Sequence, residues 1–325
     1  ISFFDLNYLF LSFKVLFLII YRELLLFIFL EVKMTIRDCI APDRNPNVPN
    51  IVLPDGSVDT HVHIFENEYP LFEGRGYNPP DSTLNDLKHL HSKLGVSRVV
   101  YTQPSPYGVD NSAILKGIKV MNEETPGRAK GVCAITMDVT DKYLEELNDQ
   151  GITGVRLNMD NIGGMPIGLD QIPELEARIK GLGWHMEYLF PGKDIVDLAP
   201  IFKKSTIPVS IAHFAYQPAT NGINSEGFKT LLDLVKDGNT WIKISGANRV
   251  SKTDLPPYDD VMPMARALVE ANSDNIMWGT DWPHPNKYEV NPNDGDLVNA
   301  FGEWITDEEM RKKILVTNPE KFYLF

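Results

Sequence analysis

The chain has 325 residues, of which 43% are hydrophobic and 23% charged, and its formal net charge is −13 at pH 7. This composition excludes disordered, collagen-like and coiled-coil proteins, and two cysteines are too few for a disulfide scaffold. The acidic balance also argues against nucleic acid and anionic membrane surfaces as partners, because both repel a negatively charged protein.

Residues 1–33 differ from the rest of the chain, since 24 of them are apolar and their six charges cancel. A membrane-spanning helix needs about 20 consecutive, mostly apolar residues, but Arg22 and Glu23 interrupt the apolar run. No small-residue cleavage site of a secretory signal follows. We therefore expect an apolar leader that is not part of the folded protein, with an uncleaved anchor and a signal peptide as alternatives.

Residues 34–57 contain many Pro and Asn residues and predict an irregular N-terminal arm. Cys39 lies in this arm and Cys133 in an apolar run, so neither a disulfide framework nor a metal-ligand spacing is present. We expect a cytoplasmic protein.

From residue 58 onward, short apolar runs alternate with longer amphipathic stretches. The apolar runs predict strands at 58–64, 98–103, 131–137, 154–158, 184–189, 209–213, 241–245 and 276–279. The amphipathic stretches predict helices at 83–94, 113–123, 144–149, 172–179, 195–202, 227–235 and 261–270. Such alternation implies parallel strands with right-handed crossovers, and eight units over about 250 residues are typical of a (β/α)₈ barrel.

The fold class predicted for residues 58–325 is therefore α/β, as a single distorted (β/α)₈ TIM barrel domain. A doubly wound open sheet is the alternative. It is disfavoured because no glycine-rich phosphate-binding loop follows the first strand.

Histidines and an aspartate end three of the predicted strands. The first strand contains His61 and His63, the sixth ends in His213, and Asp281 follows the eighth. Residues two apart on a strand point the same way, so His61 and His63 project together. The carboxyl ends of barrel strands converge on one mouth. A single strand-end histidine is commonly a core residue, but this set at one end predicts a site.

These motifs resemble the amidohydrolase superfamily, in the branch of the pyrone-dicarboxylate and sugar lactonases. The resemblance rests on Asp-Thr-His-Val-His-Ile-Phe at 59–65, on His213, and on Trp-Gly-Thr-Asp-Trp-Pro-His-Pro at 278–285. Shorter matches are Gln-Pro-Ser at 103–105, Gly-Val-Arg-Leu-Asn at 154–158, and Lys-Ile-Ser-Gly at 243–246 leading to Arg249. The resemblance implies a distorted barrel that acts on lactones of small, carboxylated organic or sugar acids.

A catalytic zinc ion could use His61, His63, His213 and Asp281 as ligands. A second metal needs a bridging carboxylate or carboxylated lysine on the fourth strand, where this chain has Arg156. A guanidinium repels a dication but pairs with a substrate carboxylate. The branch also includes enzymes that work without a metal. We expect no cofactor, with one Zn²⁺ on those four residues as the alternative.

Lactone hydrolysis needs an activated water, a polarised carbonyl and a protonated leaving oxygen. We expect Asp281 to act as the general base and later to return the proton to the ring oxygen. His61, His63 and His213 can hold the carbonyl oxygen, with His213 nearest to the developing oxyanion.

The substrate's carboxylate needs local cations, because the overall charge repels it. Arg156 and Arg249 are the arginines expected at the mouth. Tyr77 and Ser105 resemble the family's hydroxyl donors to substrate. Asn248 and Asn111 are further candidates for hydrogen bonds.

The chain departs from the pyrone-dicarboxylate pattern after Asn158, where Met-Asp-Asn-Ile-Gly-Gly at 159–164 replaces a second arginine. This indicates fewer substrate carboxylates, or a hydroxylated ring bound by Asp160 and Asn161. The alternatives are lactone isomerisation, a metal-dependent decarboxylase and a noncatalytic sugar-acid sensor. The expected partner is a small anionic lactone, and homo-oligomerisation is left open.

Three other histidines are expected outside the site. His185, near the start of its strand, is predicted to lie in the core, and His89 and His91 on the first helix are predicted to face solvent.

Overall fold

The computed structural model describes residues 36–160 and 166–325. Residues 37–325 form one compact unit. The predicted leader at 1–33 and Asn161 lie outside the described residues. No helix in the described ranges is long and apolar enough to cross a membrane.

A parallel sheet of eight strands forms the centre of the molecule. The strands of the described chain are β1 (Arg37–Asp38), β2 (Val58–Val62), β3 (Tyr77–Asn78), β4 (Arg98–Thr102), β5 (Ala129–Cys133), β6 (Ile152–Asn158), β7 (His185–Leu189), β8 (Val209–Ile211), β9 (Thr240–Lys243) and β10 (Ile276–Met277). β2 and β4 to β10 lie side by side in chain order, while β1 pairs separately with β3.

The first and last strands of this sheet meet and nearly close it into a barrel. Val62 forms a parallel bridge with Trp282, and the backbone N–H of Thr60 donates to the carbonyl of Trp278 over 3.2 Å. Gly279 permits this approach, because a Cβ there would lie 2.7 Å from the backbone nitrogen of His61. The predicted TIM-barrel fold is confirmed.

Helices follow the strands around the outside of the barrel. The described helices are α1 (Leu84–Leu94), α2 (Ser112–Glu124), α3 (Asp141–Asp149), α4 (Ile172–Ile179), α5 (Ile195–Lys204), α6 (Glu226–Lys236), α7 (Met262–Asn272), α8 (Asp294–Trp304), α9 (Glu308–Lys312) and α10 (Asn318–Tyr323).

Helix α1 illustrates why these stretches fold as predicted. Thr83 and Asp86 form a capping box at its start, and Gly95 ends it with a φ of 79°. The buried stripe of α1 includes His91 beside Leu90 and Leu94. The prediction that His91 faces solvent is therefore wrong, because its position falls on the packed stripe. His89 is exposed, as predicted.

Two apolar cores lie on opposite sides of the sheet. The larger packs the helices against the outer face of the barrel. The smaller fills the barrel interior and is formed by Val58, Val100, Val132, Trp241 and Met277, together with Phe322 and Tyr323 of α10. Val58 and His185 begin β2 and β7, Trp241 is the second residue of β9, and Phe322 packs against His185 and Trp241. Helix α10 therefore lies toward the amino-terminal end of the barrel.

The described part of the arm, residues 36–57, contains no helix and no strand other than β1. Asparagine side chains hold it against the barrel: the N–H of Asn47 donates to Oδ1 of Asn293 over 2.9 Å, and the N–H of Asn50 to Oδ1 of Asn299 over 2.7 Å.

Candidate active site

The four predicted catalytic residues meet at the carboxyl end of the barrel. Oδ1 of Asp281 lies 3.4 Å from Nε2 of His213. The same oxygen lies 3.9 Å from Nε2 of His61 and 3.9 Å from Nε2 of His63. All four side chains are at most 2% exposed. Histidines from the ends of two strands, β2 and β8, thus surround one oxygen of the carboxylate that follows β10.

Left-handed backbone positions two of these residues. His213 to Tyr216 have φ values between 49° and 53°, and Asp281 has a φ of 66°. This conformation costs non-glycine residues about 1–2 kcal/mol each, so the surrounding packing must hold it. It also ends β8 at Ile211, two residues before the predicted end at 213. Gly246 leaves room for the turn, since a Cβ there would lie 2.7 Å from Nδ1 of His213.

The three histidines are neutral. Burial lowers the pKa of His61, His63 and His213 well below the ordinary value, and nearby cations lower it further. Nδ1 of His63 lies 2.7 Å from the carbonyl oxygen of Thr102. A neutral His63 must donate Nδ1–H there, so its Nε2 has a free lone pair. Nδ1 of His213 lies 2.9 Å from the hydroxyl of Ser245.

Arg249 pairs with the candidate base. Its Nε lies 2.6 Å from Oδ2 of Asp281, and its Nη2 donates to the carbonyl of Pro285 over 3.0 Å. From the sequence, Arg249 is expected to bind the substrate's carboxylate, and no pairing with Asp281 is predicted. The fold brings the two together although 32 positions separate them.

Arg156 lines the cavity at this end of the barrel. Tyr77, His63, His213 and Asp281 also line this cavity. Nη1 of Arg156 donates to the carbonyl of Gln103 over 2.7 Å. Its Nε makes no hydrogen bond within the described chain. Arg156 therefore keeps donor capacity at the cavity, which it lines together with Arg249.

The other predicted binding residues divide into two groups. Tyr77 contacts the hydroxyl of Ser105, both are buried, and burial raises the pKa of Tyr77. Asn248 is buried, and neither polar atom of its side chain has a hydrogen-bond partner among the described residues. The side chain of Asn111 instead bonds both the N–H and the carbonyl of Ala134, over 2.9 and 2.8 Å, which makes it a structural residue.

A charged pair beneath the histidines was not predicted. Nζ of Lys243 lies 2.5 Å from Oε2 of Glu187, and both side chains are completely buried. Burial lowers the pKa of Lys243, and the Glu187 carboxylate opposes this change. The sequence did contain an indication, because Lys243 and Glu187 interrupt otherwise apolar strands. Lys and Glu are almost never fully buried unless they are paired, so two such residues on buried strands indicate an ion pair.

Asp59 is a second polar residue that was quoted in the motif without a role. Its Oδ1 accepts the N–H of Thr280 over 2.9 Å, and its Oδ2 accepts the Thr280 hydroxyl over 2.6 Å. Nε2 of the buried His91 lies 3.4 Å from the same Oδ2. Asp59 thereby ties the strand of the two histidines to the segment that ends in Asp281.

His61, His63 and Asp281 could hold one metal ion. Each offers one ligand atom, and these atoms lie within 4.8 Å of one another. Nε2 of His61 and Oδ1 of Asp281 have no hydrogen-bond partner within the described residues. Two cations already contact this group: Arg249 at 2.6 Å from Asp281 and Lys243 at 3.3 Å from His61. A dication would be repelled by both.

Comparison with known proteins identifies the family of the chain. The amidohydrolase family model matches residues 58–325. A 4-sulfomuconolactone hydrolase from Hydrogenophaga intermedia is 36% identical over 88% of this chain and 94% of its own length. A 2-pyrone-4,6-dicarboxylate hydrolase from Comamonas testosteroni is 35% identical over 86% and 93%, respectively. A D-galactarolactone isomerase from Agrobacterium fabrum is 31% identical over 85% and 93%. The chain belongs to the amidohydrolase family.

Proposed function

We propose that this protein hydrolyses the lactone ring of a small, carboxylated organic or sugar acid. The observation that supports this most directly is the carboxylate of Asp281, whose Oδ1 lies 3.4–3.9 Å from three buried, neutral imidazoles. A base beside several neutral hydrogen-bonding groups suits acyl transfer to water, since one group must take a proton while others stabilise an oxyanion.

In this mechanism a water attacks the lactone carbonyl carbon while Asp281 takes one of its protons. The carbonyl oxygen becomes an oxyanion, and Nε2–H groups of His213 and His61 hold it. Collapse of the intermediate breaks the bond to the ring oxygen, and Asp281 returns the proton to that oxygen. The products are a free carboxylic acid and a hydroxyl group.

His63 receives a different role from the one expected at first. Its Nδ1–H is donated to Thr102 over 2.7 Å, so its Nε2 cannot donate to the carbonyl oxygen. We assign it to the attacking water, which can donate one hydrogen to Nε2 of His63 and the other to Asp281.

The substrate is a lactone with few carboxylates. Arg156, supported by Tyr77 and Ser105, is placed to bind one carboxylate by charge-assisted hydrogen bonds. Arg249 is paired with Asp281 at 2.6 Å. Asp160 is exposed at the same rim, where it repels a second carboxylate and can accept a hydrogen bond from a ring hydroxyl. Asn248 remains a candidate for a further hydrogen bond to the substrate.

We infer that the reaction needs no metal. Arg249 and Lys243 contact two of the three candidate metal ligands. Their positive charges repel a divalent metal ion, and the same charges stabilise an anionic intermediate. In the alternative, His61, His63, His213 and Asp281 would hold one Zn²⁺, which would supply the activation of the water.

Lactone isomerisation is the second candidate function. A relative of 31% identity is named a D-galactarolactone isomerase, and the same groups could activate a substrate hydroxyl in place of water. Hydrolysis releases a new acid, whereas isomerisation moves the ring without releasing one.

The test uses the full chain and a panel of aldonic, aldaric and muconic lactones. Acid release is followed with a pH indicator, bound metal is measured, and each assay is repeated with a chelator. Hydrolysis that survives chelation is expected. Activity that is lost with the chelator and restored by Zn²⁺ would overturn the metal-free mechanism, and ring migration without acid release would replace hydrolysis by isomerisation.

The first variant to test is Asp281→Asn. We expect kcat to fall by about 10²–10⁴-fold, the usual contribution of a general base. Asp274→Asn is the matched control, because Asp274 lies at the surface in an ion pair with Lys313 and precedes β10, whereas Asp281 follows it. Unchanged lactone hydrolysis in Asp281→Asn would refute the mechanism.

A further inference from the structure

The charged pair of Lys243 and Glu187 lies directly beneath His61 in the barrel interior. Lys243 stands on β9 and Glu187 on β7, and neither side chain is exposed. Below them, Tyr323 of α10 lies with its ring centre 5.6 Å from Nζ of Lys243. The pair thus lies between the apolar interior and the catalytic end, where Nζ of Lys243 contacts Nδ1 of His61.

The hydrogen bonds of Lys243 determine what His61 can do. An ammonium has three N–H donors. Nζ has three neighbours to accept them: Oε2 of Glu187 at 2.5 Å, the carbonyl oxygen of Thr60 at 2.8 Å, and Nδ1 of His61 at 3.3 Å. The first two accept only, so the third N–H is directed to Nδ1 of His61, which must then present a lone pair.

We propose that Lys243 and Glu187 are positioning residues that hold His61 in the tautomer with the proton on Nε2. That proton points toward the carboxylate of Asp281 and the space around it. The catalytic consequence rests on the proposed function: His61 becomes a fixed donor to the carbonyl oxygen, without having to select its tautomer during the reaction.

The opposite tautomer has a poorer geometry. It would donate Nδ1–H to Oε1 of Glu187, 3.6 Å away, which is beyond hydrogen-bond length. It would also leave the third N–H of Lys243 facing another N–H. Thr102 gives His63 the reverse tautomer, so the two histidines of one strand become one donor and one acceptor.

The tautomer is measured directly by ¹H–¹⁵N correlation NMR on the full chain with ¹⁵N-labelled histidine. His61→Gln and His63→Gln spectra assign the two rings. We expect His61 to show a protonated Nε2 and a bare Nδ1, and His63 the reverse. A protonated Nδ1 in His61 would overturn the proposal. This experiment needs no lactone, so its outcome is independent of whether the proposed function is correct.

The double variant Lys243→Met, Glu187→Leu tests the cause. Removing both charges together leaves no unpaired buried ion, and such replacements are often neutral for stability. We expect His61 to lose its single tautomer and kcat to fall by about 10²-fold, the loss of one preorganised donor, with KM changed by less than about threefold because Arg156 is untouched. Thermal unfolding verifies that the variant folds.

Tyr323→Phe is the matched control, since it alters the same interior layer from the side away from His61. It is expected to keep the His61 tautomer and to retain kcat within about twofold. If the double variant keeps both the His61 tautomer and kcat, the pair of Lys243 and Glu187 has only a structural role. An equal loss of kcat in Tyr323→Phe and in the double variant would also mean that the pair has only a structural role.

Discussion

At the scale of single residues, the two mouth arginines have different environments and should have different kinetic roles. Arg156 has free donor capacity at the cavity, while Arg249 pairs with Oδ2 of Asp281 at 2.6 Å. Arg156→Met should therefore raise KM for an anionic lactone by about tenfold or more, as expected for the loss of a charged hydrogen bond of about 1.5–3 kcal/mol. Arg249→Met should instead lower kcat, because it leaves the buried base unpaired. Steady-state kinetics on one anionic lactone separates the two effects. Equal changes in KM for both variants would contradict this division.

The residue types of the site could be predicted from the sequence, but their partners could not. His61, His63, His213 and Asp281 were found because a barrel brings strand ends together, which is a rule about topology. The pairing of Arg249 with Asp281, and of Lys243 with His61, depends on distances between strands that share no local pattern. These contacts decide which atom donates and which accepts, so the role of His63 could not be assigned before the fold was known.

At the scale of elements, the order and type of the barrel strands could be predicted, while several ends could not. Apolar periodicity indicates burial, and burial extends beyond the hydrogen-bonded part of a strand. The predicted strand at 209–213 therefore ends at Ile211, and the one at 276–279 ends at Met277. The residues that follow stay buried, and left-handed backbone begins at His213 in one segment and at Asp281 in the other. The sequence also did not show that α10 fills the barrel interior.

Helix α10 should contribute to stability without contributing to the site. Phe322 packs against His185, Trp241 and Tyr323, with ring centres 4.4, 4.8 and 5.0 Å away. Phe322→Ala is expected to lower the free energy of unfolding by roughly 3 kcal/mol, at the lower end for a buried Phe, because the segment is terminal. Urea denaturation measures this. Leu324→Ala, at a residue 55% exposed, is the control and should change stability by less than about 0.5 kcal/mol.

The same pair of variants tests whether the two ends of the barrel are independent. Phe322 lies at the amino-terminal end and the cavity at the carboxyl end, so KM and kcat of folded Phe322→Ala should stay within about twofold of the unaltered protein. A large rise in KM at a temperature where the variant is folded would show that α10 and the active site are coupled.

At the scale of the whole molecule, four histidines whose pKa is lowered by burial make the folded state sensitive to acid. Burial lowers the pKa of His61, His63 and His213 well below 6.5, and that of His185 to about 3. The unfolded chain therefore binds more protons than the folded chain below pH 6.5. The free energy of unfolding must fall as the pH decreases through this range.

His185 gives the most specific test, because it lies away from the catalytic residues. Its pKa falls from 6.5 in the unfolded chain to about 3 in the folded protein. Between them it should reduce stability by up to about 1.4 kcal/mol for each pH unit, or about 2 kcal/mol from pH 7 to pH 5. His185→Gln abolishes this titration while the other three histidines remain. Urea unfolding at pH 7, 6 and 5 should then give a shallower loss of stability for His185→Gln than for the unaltered protein, whatever the absolute stability of the variant. Equal slopes would mean that His185 is protonated in the folded state, and that the interior around Phe322 and Tyr323 admits a charge.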